Sequence, residues 1–149
     1  MSLQTDVMTA MKEAMKAKDQ NALTSLRAIK SEILKAQTET GSKTEITEEE
    51  ELKLLQKLVK QRKDSAAIYK EQDREDLAQD ELDQIKVIEG FLPEQLSEDK
   101  IAEKVDEIIA QTGASGMQDM GKVMGIASQQ LAGKADGKTI STIVKRKLS

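Results

Sequence analysis

Apolar residues recur at intervals of three and four through almost every segment of this 149-residue chain. The pattern begins with Leu3, Val7, Met11 and Ala14 and returns in segment after segment as far as Leu148. Side chains three and four residues apart share one face of an α-helix, whereas a half-buried strand requires strict alternation. The spacing therefore predicts an all-α protein.

Composition agrees with helices and removes several classes of chemistry. The chain has one Tyr, one Phe and no Trp, and it is rich in residues that favour helix over strand. It has no cysteine and no histidine, which excludes disulfides, thiolate and imidazole metal sites, and Ser–His or Cys–His catalytic pairs. We therefore expect no catalytic residue, no metal and no cofactor.

The chain carries no signal for a membrane or for export. Its first residues lack a basic start followed by an apolar run, and no segment approaches the ~18 consecutive apolar residues of a membrane span. The absence of cysteine removes any need for an oxidising compartment. We expect a cytoplasmic protein with no membrane partner.

Four helices are predicted in the first 92 residues, with a short first link that favours an antiparallel pair. Asp19 or Asn21 is expected to cap the second helix. A polar loop containing Gly41 follows that helix, and Thr47 opens the third helix with a capping box. The third helix either stops or continues into the fourth with only a kink. Arg62 is expected to be partly buried and paired with a carboxylate. The predicted helices span 2–18, 21–36, 47–72 and 74–89.

A domain boundary is predicted at Gly90-Phe91-Leu92-Pro93. Glycine ends the preceding helix, and the proline biases Leu92 away from helical angles. The expected organisation is an N-terminal antiparallel helical domain over residues 1–92 and a small three-helix domain over residues 93–149.

The three C-terminal helices are predicted from start and stop signals. Ser97 and Asp136-Gly137 mark starts, and Ser115-x-x-Gln118 matches a second capping box. Gly113 and Gly133 mark stops. The inner face of the middle helix is expected to contain Met117, Met120, Met124, Ala127 and Leu131.

Charge is distributed unevenly along the chain. Residues 1–112 contain 17 basic and 25 acidic residues, whereas residues 113–149 contain six basic and two acidic residues. The basic end favours an anionic partner. The alternative is a final helix whose basic residues offset its own dipole.

A glycine- and lysine-containing segment lies before the last helix, from Gly133 through Gly137 and Lys138 to Thr139. It has three residues between its glycines, and it joins two helices, so it does not match the phosphate loop of nucleotide-binding proteins. Two interpretations remain: an anion site at the helix N-terminus, or a helix stop at Gly133 with Asp136 as a cap.

Gly121 and Gly125 lie on one helical face, with Lys122 between them. Each glycine costs about 1 kcal/mol relative to alanine, so a close backbone approach is expected there. A neighbouring helix is the commoner explanation and a nucleic-acid backbone the other. Because aromatic residues for base stacking are not interleaved with the basic ones, backbone and shape recognition of a folded RNA fits better than sequence-specific single-strand binding.

Several segments, in order along the whole chain, resemble signatures of the YqeY family. They are Leu26–Ser31, Lys60–Ser65 with Tyr69, Phe91–Leu96, Asp119–Gly125, Gly133–Lys138 and Ile143–Lys145.

The resemblance implies a two-domain, all-α protein classed with carbon–nitrogen ligases that use glutamine as amido-N-donor. The family's C-terminal domain is similar to the tRNA-contacting tail of the GatB amidotransferase subunit. The kinase and transamidase machinery of GatB lies in its larger portion, which this chain lacks. The resemblance therefore implies RNA contact rather than catalysis, at Lys122, Lys134, Lys138, Lys145, Gly121 and Gly125.

Three functions remain open at this point. The first is a tRNA-binding accessory protein, not catalytic on its own, with tRNA or a tRNA-like RNA as partner. The second is a component of a glutamine-dependent amidotransferase complex, with an amidotransferase or translation-related protein as partner. The third is a protein-interaction adaptor without RNA.

Overall fold

The computed structural model describes residues 2–39 and 46–149, and every regular element within those ranges is helical. The all-α prediction is confirmed. Gly41 and the rest of segment 40–45 lie outside the described residues. Within those ranges, no helix combines the length and the apolar character that a membrane-spanning segment requires. The helices are α1 (Leu3–Ala17), α2 (Gln20–Glu39), α3 (Glu48–Glu71), α4 (Glu75–Glu89), α5 (Glu98–Thr112), α6 (Met120–Gln130) and α7 (Gly137–Leu148).

The chain forms two compact units, the first unit Met1–Leu92 and the second unit Pro93–Ser149. In the first unit, Gln37 at the end of α2 donates a 3.4 Å hydrogen bond to Gln4 at the start of α1, so these helices run antiparallel. Phe91 packs against the core of this unit. Its most buried large side chains are Val7, Leu26, Ile29, Ile33, Leu55 and Ile88.

Side-chain caps define the helix starts in the first unit. The Ser2 hydroxyl accepts a 3.3 Å hydrogen bond from the Thr5 N–H, and the Thr47 hydroxyl accepts one of 3.2 Å from the Glu50 N–H. Asp19, one of the two predicted caps of α2, accepts from the Ala22 N–H at 3.1 Å. These local bonds satisfy N–H groups that lack a partner within the helix.

The continuation of α3 into α4 with only a kink is wrong. Asp73 takes a left-handed backbone angle, φ 57°, and the chain turns there without glycine or proline. Aspartate tolerates this conformation better than most residues because its short polar side chain can bond locally. Beyond the turn, two 3.2 Å hydrogen bonds from Arg74 to Asp76 lower the pKa of the Asp76 carboxyl.

Arg62 connects α3 to α4 across this helical hairpin. Its Nε donates a 3.0 Å hydrogen bond to Oε1 of Gln84, and its Nη1 donates one of 3.2 Å to the Leu58 carbonyl. Arg62 is half-buried as predicted, but these partners are an amide and a backbone oxygen rather than the expected carboxylate. Two neutral oxygens therefore hold the guanidinium, and Arg62 forms no ion pair in the described part of the chain.

The second unit is a three-helix cluster. Ser97 caps α5 by accepting a 3.3 Å hydrogen bond from the Lys100 N–H, and Gly113 ends α5 with φ 68°. Both signals were predicted from the sequence. The core residues come from all three helices and from the α6–α7 connection: Ile101, Val105, Ile108, Val123, Ala127, Leu131, Ala135, Ile140, Ile143, Val144 and Leu148.

The start of α6 differs from the prediction. The carboxylate of Asp119 accepts a 3.0 Å hydrogen bond from the Ser115 N–H, and no side chain caps the single 3-10 turn Met117–Asp119 that precedes α6. The predicted capping box at Ser115 is therefore wrong. Met117 is 44% exposed rather than part of the core, and Val123 is a fully buried residue of the inner face.

Candidate nucleic-acid interface

The outer face of α6 is composed of small and polar residues. Gly121, Lys122 and Gly125 are exposed, whereas Val123 and Ala127 on the opposite side are fully buried. At about 100° per residue, Gly121 and Gly125 are only about 40° apart around the helix. Lys122 therefore projects beside a strip of bare backbone.

No neighbouring helix approaches this glycine strip. A Cβ atom placed at Gly121 or at Gly125 meets no heavy atom of the surrounding structure within 4 Å, among the described residues. Tight helix packing, the commoner explanation weighed from the sequence, is therefore wrong. Two glycines remain on an open helical surface at a cost in helix stability, and the structure within the chain does not account for them.

Lys134 lies on the connection between α6 and α7. The Gly133 carbonyl accepts a 2.7 Å hydrogen bond from the Gln95 side chain, and the Lys134 carbonyl accepts one of 2.9 Å from the Leu96 N–H. Ala135 next to it is buried, while the Lys134 side chain is exposed. The backbone of this connection is thus fixed, and it presents its cation to solvent.

The N-terminus of α7 is capped by its own carboxylate. Asp136 Oδ1 accepts a 2.7 Å hydrogen bond from the Thr139 N–H, and Gly133 takes the left-handed angle φ 76° just beyond α6. Of the two interpretations of this segment, the structure favours the helix stop and cap. A free anion at this end would meet the negative charge of Asp136, so an anion site built on this helix end alone is not supported.

The exposed face of α7 carries the remaining predicted lysines. Lys138 and Lys145 are both exposed and lie seven residues apart, two helical turns along the same face. Thr142 lies between them, and its hydroxyl donates a 2.9 Å hydrogen bond to the Lys138 carbonyl. Arg146, the next residue after Lys145, is also exposed, and it is not among the contacts that the resemblance implies.

The four predicted lysines carry free charge. Within residues 2–39 and 46–149, none of them forms an ion pair. The nearby Lys147 differs, because its Nζ lies 3.2 Å from Oδ2 of Asp106 on α5. Within the second unit, the lysines available to an external anion are Lys122, Lys134, Lys138 and Lys145.

The second unit as a whole is electrically neutral, with eight basic and eight acidic residues in positions 93–149. Five of the acidic residues lie on α5 and only one on α7 or the connection before it. The surplus of positive charge is therefore confined to α6, α7 and their connection. An anionic partner would be oriented toward those elements.

The residues described give no support for a metal centre. No group of three or more carboxylates within residues 2–39 and 46–149 is arranged to hold a metal ion. The arrangement that the structure does provide, open backbone with unpaired lysines, can bind phosphate groups by charge and by backbone contact.

Comparison with known proteins gives relatives of two kinds. A glutamyl-tRNA(Gln) amidotransferase subunit from Thermococcus gammatolerans is 44% identical over 57 residues, 36% of this chain and 9% of that protein. Its counterpart from Methanococcus maripaludis strain C5 is 39% identical over 71 residues, 45% of this chain and 11% of that protein. The protein named altered inheritance of mitochondria protein 41, mitochondrial, from Clavispora lusitaniae, is 35% identical over 108 residues, 70% of this chain and 61% of that protein.

This chain spans only about a tenth of the two amidotransferase subunits that it matches, and less than two thirds of the third relative. The comparison with the family covers far more of this chain. The profile of the Yqey-like proteins matches residues 4–148, nearly the full length and both units. The chain belongs to the YqeY family.

Proposed function

We propose that this chain is a tRNA-binding accessory protein related to tRNA-dependent amidotransferases and not catalytic on its own. The observation that carries the proposal is the glycine strip of α6. Gly121 and Gly125 are open to solvent beside the unpaired Lys122. Glycine allows another backbone to approach a helix closely, and a lysine there attracts a phosphate.

The mode of binding follows from the residues available. Lys122, Lys134, Lys138 and Lys145 supply point charges for phosphates, and the helix backbone at the glycines supplies close contact. The chain contains one Tyr, one Phe and no Trp, so it has few aromatic rings on which to stack bases. Binding of this kind recognises the backbone and shape of a folded RNA rather than its sequence.

The relatives support the choice of tRNA as ligand. Two of them are named as subunits of a glutamyl-tRNA(Gln) amidotransferase. The place proposed for this activity is the cytoplasm, although one relative is named as mitochondrial. The alternative function is a component of a glutamine-dependent amidotransferase complex, and the same two names favour it.

A titration of the full chain with bulk tRNA at several salt concentrations tests the proposal. Binding that weakens with salt, and that is lost when all four lysines are replaced by alanine, supports it. Affinity for a purified amidotransferase subunit without affinity for tRNA supports the alternative function instead.

A further inference from the structure

One face of α2, in the first unit, is basic and free of carboxylates. Its exposed residues fall within an arc of about 100° at 100° per residue. No acidic residue lies within this arc, and Leu34 is the single large apolar side chain in it. The exposed Glu39, the last residue of α2, lies about 40° beyond the edge of the arc, one helical turn after Lys35. This face, called the α2 face below, comprises Gln20, Thr24, Arg27, Ser31, Leu34, Lys35 and Thr38.

The cations of the α2 face are free of internal partners. Neither Arg27 nor Lys35 forms an ion pair in the described part of the chain, and the half-buried Lys30 at the rim of the face forms none either. Glu32, an acidic residue in the middle of α2, points to α3, where it lies 3.9 Å from Lys57. The charge of the α2 face is therefore available to an external anion.

The first unit, although acidic overall, is divided in charge. Residues 2–39, which form α1 and α2, contain six basic and five acidic residues. Residues 46–92, which form α3 and α4, contain eight basic and 13 acidic residues. A polyanion would be repelled by the α3–α4 side and attracted to α2, so the division of charge sets the direction of approach.

We propose that the α2 face is a second RNA-backbone contact, which gives the first unit a part in holding the RNA. Arg27 and Lys35 lie eight residues apart, about 12 Å along the helix, with Ser31 midway. The guanidinium of Arg27 can donate two parallel hydrogen bonds to one phosphate, Lys35 adds a point charge, and the Ser31 hydroxyl can donate between them. The inference shares its ligand class with the proposed function, and so rests on it, but depends on different residues.

The chemistry of the face favours RNA over a protein partner. The core of a protein interface is depleted in charge and enriched in aromatic and apolar residues. On the α2 face one half-exposed leucine is surrounded by hydroxyl, amide and basic side chains. Phosphate contacts in nucleic-acid complexes use Arg, Lys, Ser and Thr, which is the composition of this face.

A charge-matched pair of variants tests the inference in the full chain. The test variant is Arg27→Gln with Lys35→Gln, both on the α2 face. The control is Lys53→Gln with Lys57→Gln, which removes the same charge from the same unit but at lysines that lie 3.3 Å and 3.9 Å from the carboxylates of Glu49 and Glu32. Both are titrated with bulk tRNA across salt concentrations, and circular dichroism confirms that each is folded.

The α2 variant is expected to bind tRNA several-fold more weakly than the control and to reduce the log–log salt slope by roughly two units. Equal binding by the two variants overturns the inference. If equal binding is found while the four-lysine variant of the second unit loses tRNA, the inference fails and the proposed function stands. If none of the three variants differs from the parent, both fail.

A second probe separates RNA from an acidic protein partner. Poly-glutamate carries carboxylates on a polypeptide and no phosphate. A loss of poly-glutamate binding by the α2 variant with unchanged tRNA binding overturns the inference in favour of an acidic protein. A loss confined to tRNA supports it.

Discussion

Lys147 on α7 lies 3.2 Å from Asp106 on α5, whereas Lys145, two residues earlier, is exposed and has no acidic partner in the described part of the chain. The two lysines share a helix and a charge but differ in what they contact. One neutralises a carboxylate of its own unit, and the other is available to an external anion. Their separate substitution distinguishes a structural role from a binding role.

Lys145→Ala is expected to weaken tRNA binding and to leave stability nearly unchanged, because it removes one phosphate contact and no internal one. Lys147→Ala is expected to lower the free energy of unfolding by about 0.5 kcal/mol, since an exposed ion pair contributes at most ~1 kcal/mol, and to affect tRNA binding less. Urea denaturation and a tRNA titration measure the two effects. If Lys145→Ala and Lys147→Ala lose the same tRNA affinity, the ion pair with Asp106 does not keep Lys147 from binding tRNA, and the separation of the two roles is contradicted.

Alanine at Gly121 and Gly125 is expected to move stability and binding in opposite directions. Each added Cβ enters open space, so each substitution should raise the free energy of unfolding by about 0.5–1 kcal/mol through helix propensity. The same methyl groups should keep an RNA backbone away from α6 and reduce tRNA affinity. Thermal unfolding and tRNA titration of the full-length double variant measure both effects.

Gly113→Ala is the matched control for the glycine argument. Gly113 has φ 68° at the end of α5, a conformation that costs a residue with a Cβ about 1–2 kcal/mol. This variant should therefore be less stable, and its tRNA binding should be retained under conditions where it stays folded. If Gly121→Ala and Gly125→Ala leave tRNA affinity unchanged, close backbone approach at α6 is refuted.

The Arg62–Gln84 contact is expected to stabilise the α3–α4 hairpin. Gln84→Ala leaves the half-buried Arg62 Nε without its 3.0 Å acceptor and should lower the free energy of unfolding by about 1–2 kcal/mol. Gln84→Glu supplies the carboxylate that the sequence suggested and should restore or exceed the parent stability at neutral pH. Urea denaturation compares the three proteins, and a Gln84→Ala variant as stable as the parent would contradict the role assigned to this bond.

The purified chain is expected to hydrolyse neither glutamine nor ATP and to transfer no amide. The reason is chemical, since it contains no histidine or cysteine and its glycine-containing segment before α7 does not match a phosphate loop. Ammonia release from glutamine and phosphate release from ATP are the measurements. Turnover by pure protein that disappears on substitution of one carboxylate would refute the non-catalytic proposal.

Local signals in the sequence predict most of the helix boundaries. Ser2, Thr47, Ser97 and Asp136 act as caps because a side-chain oxygen close to the backbone reaches the N–H three residues on. Ser115 has the same pattern, but no side chain caps the turn that follows it, and its N–H donates to the carboxylate of Asp119 rather than to Gln118, the acceptor in a capping box. The choice between competing side chains depends on the course of the chain, which the local pattern does not contain.

The site was less predictable than the fold. The sequence indicates that Gly121 and Gly125 share a face, but what faces them depends on how α6 packs, and the structure shows open space. The same holds for charge, since the sequence does not distinguish the paired Lys147 from the unpaired Lys145. The turn between α3 and α4 depends on a left-handed backbone angle at Asp73, a residue that usually adopts other angles. Because the turn contains neither glycine nor proline, the sequence carries no signal that predicts it.

The salt dependence of binding is the sharpest test of the proposal that the second unit binds tRNA through phosphates. The full chain and its Lys122→Ala, Lys134→Ala, Lys138→Ala, Lys145→Ala quadruple variant are titrated with bulk tRNA at several salt concentrations. The quadruple variant is expected to bind tRNA more weakly, with a log–log slope shallower by about three to four units, close to one for each lost phosphate contact. A folded variant that binds tRNA as the parent does, or a parent with no salt-sensitive binding, would contradict it.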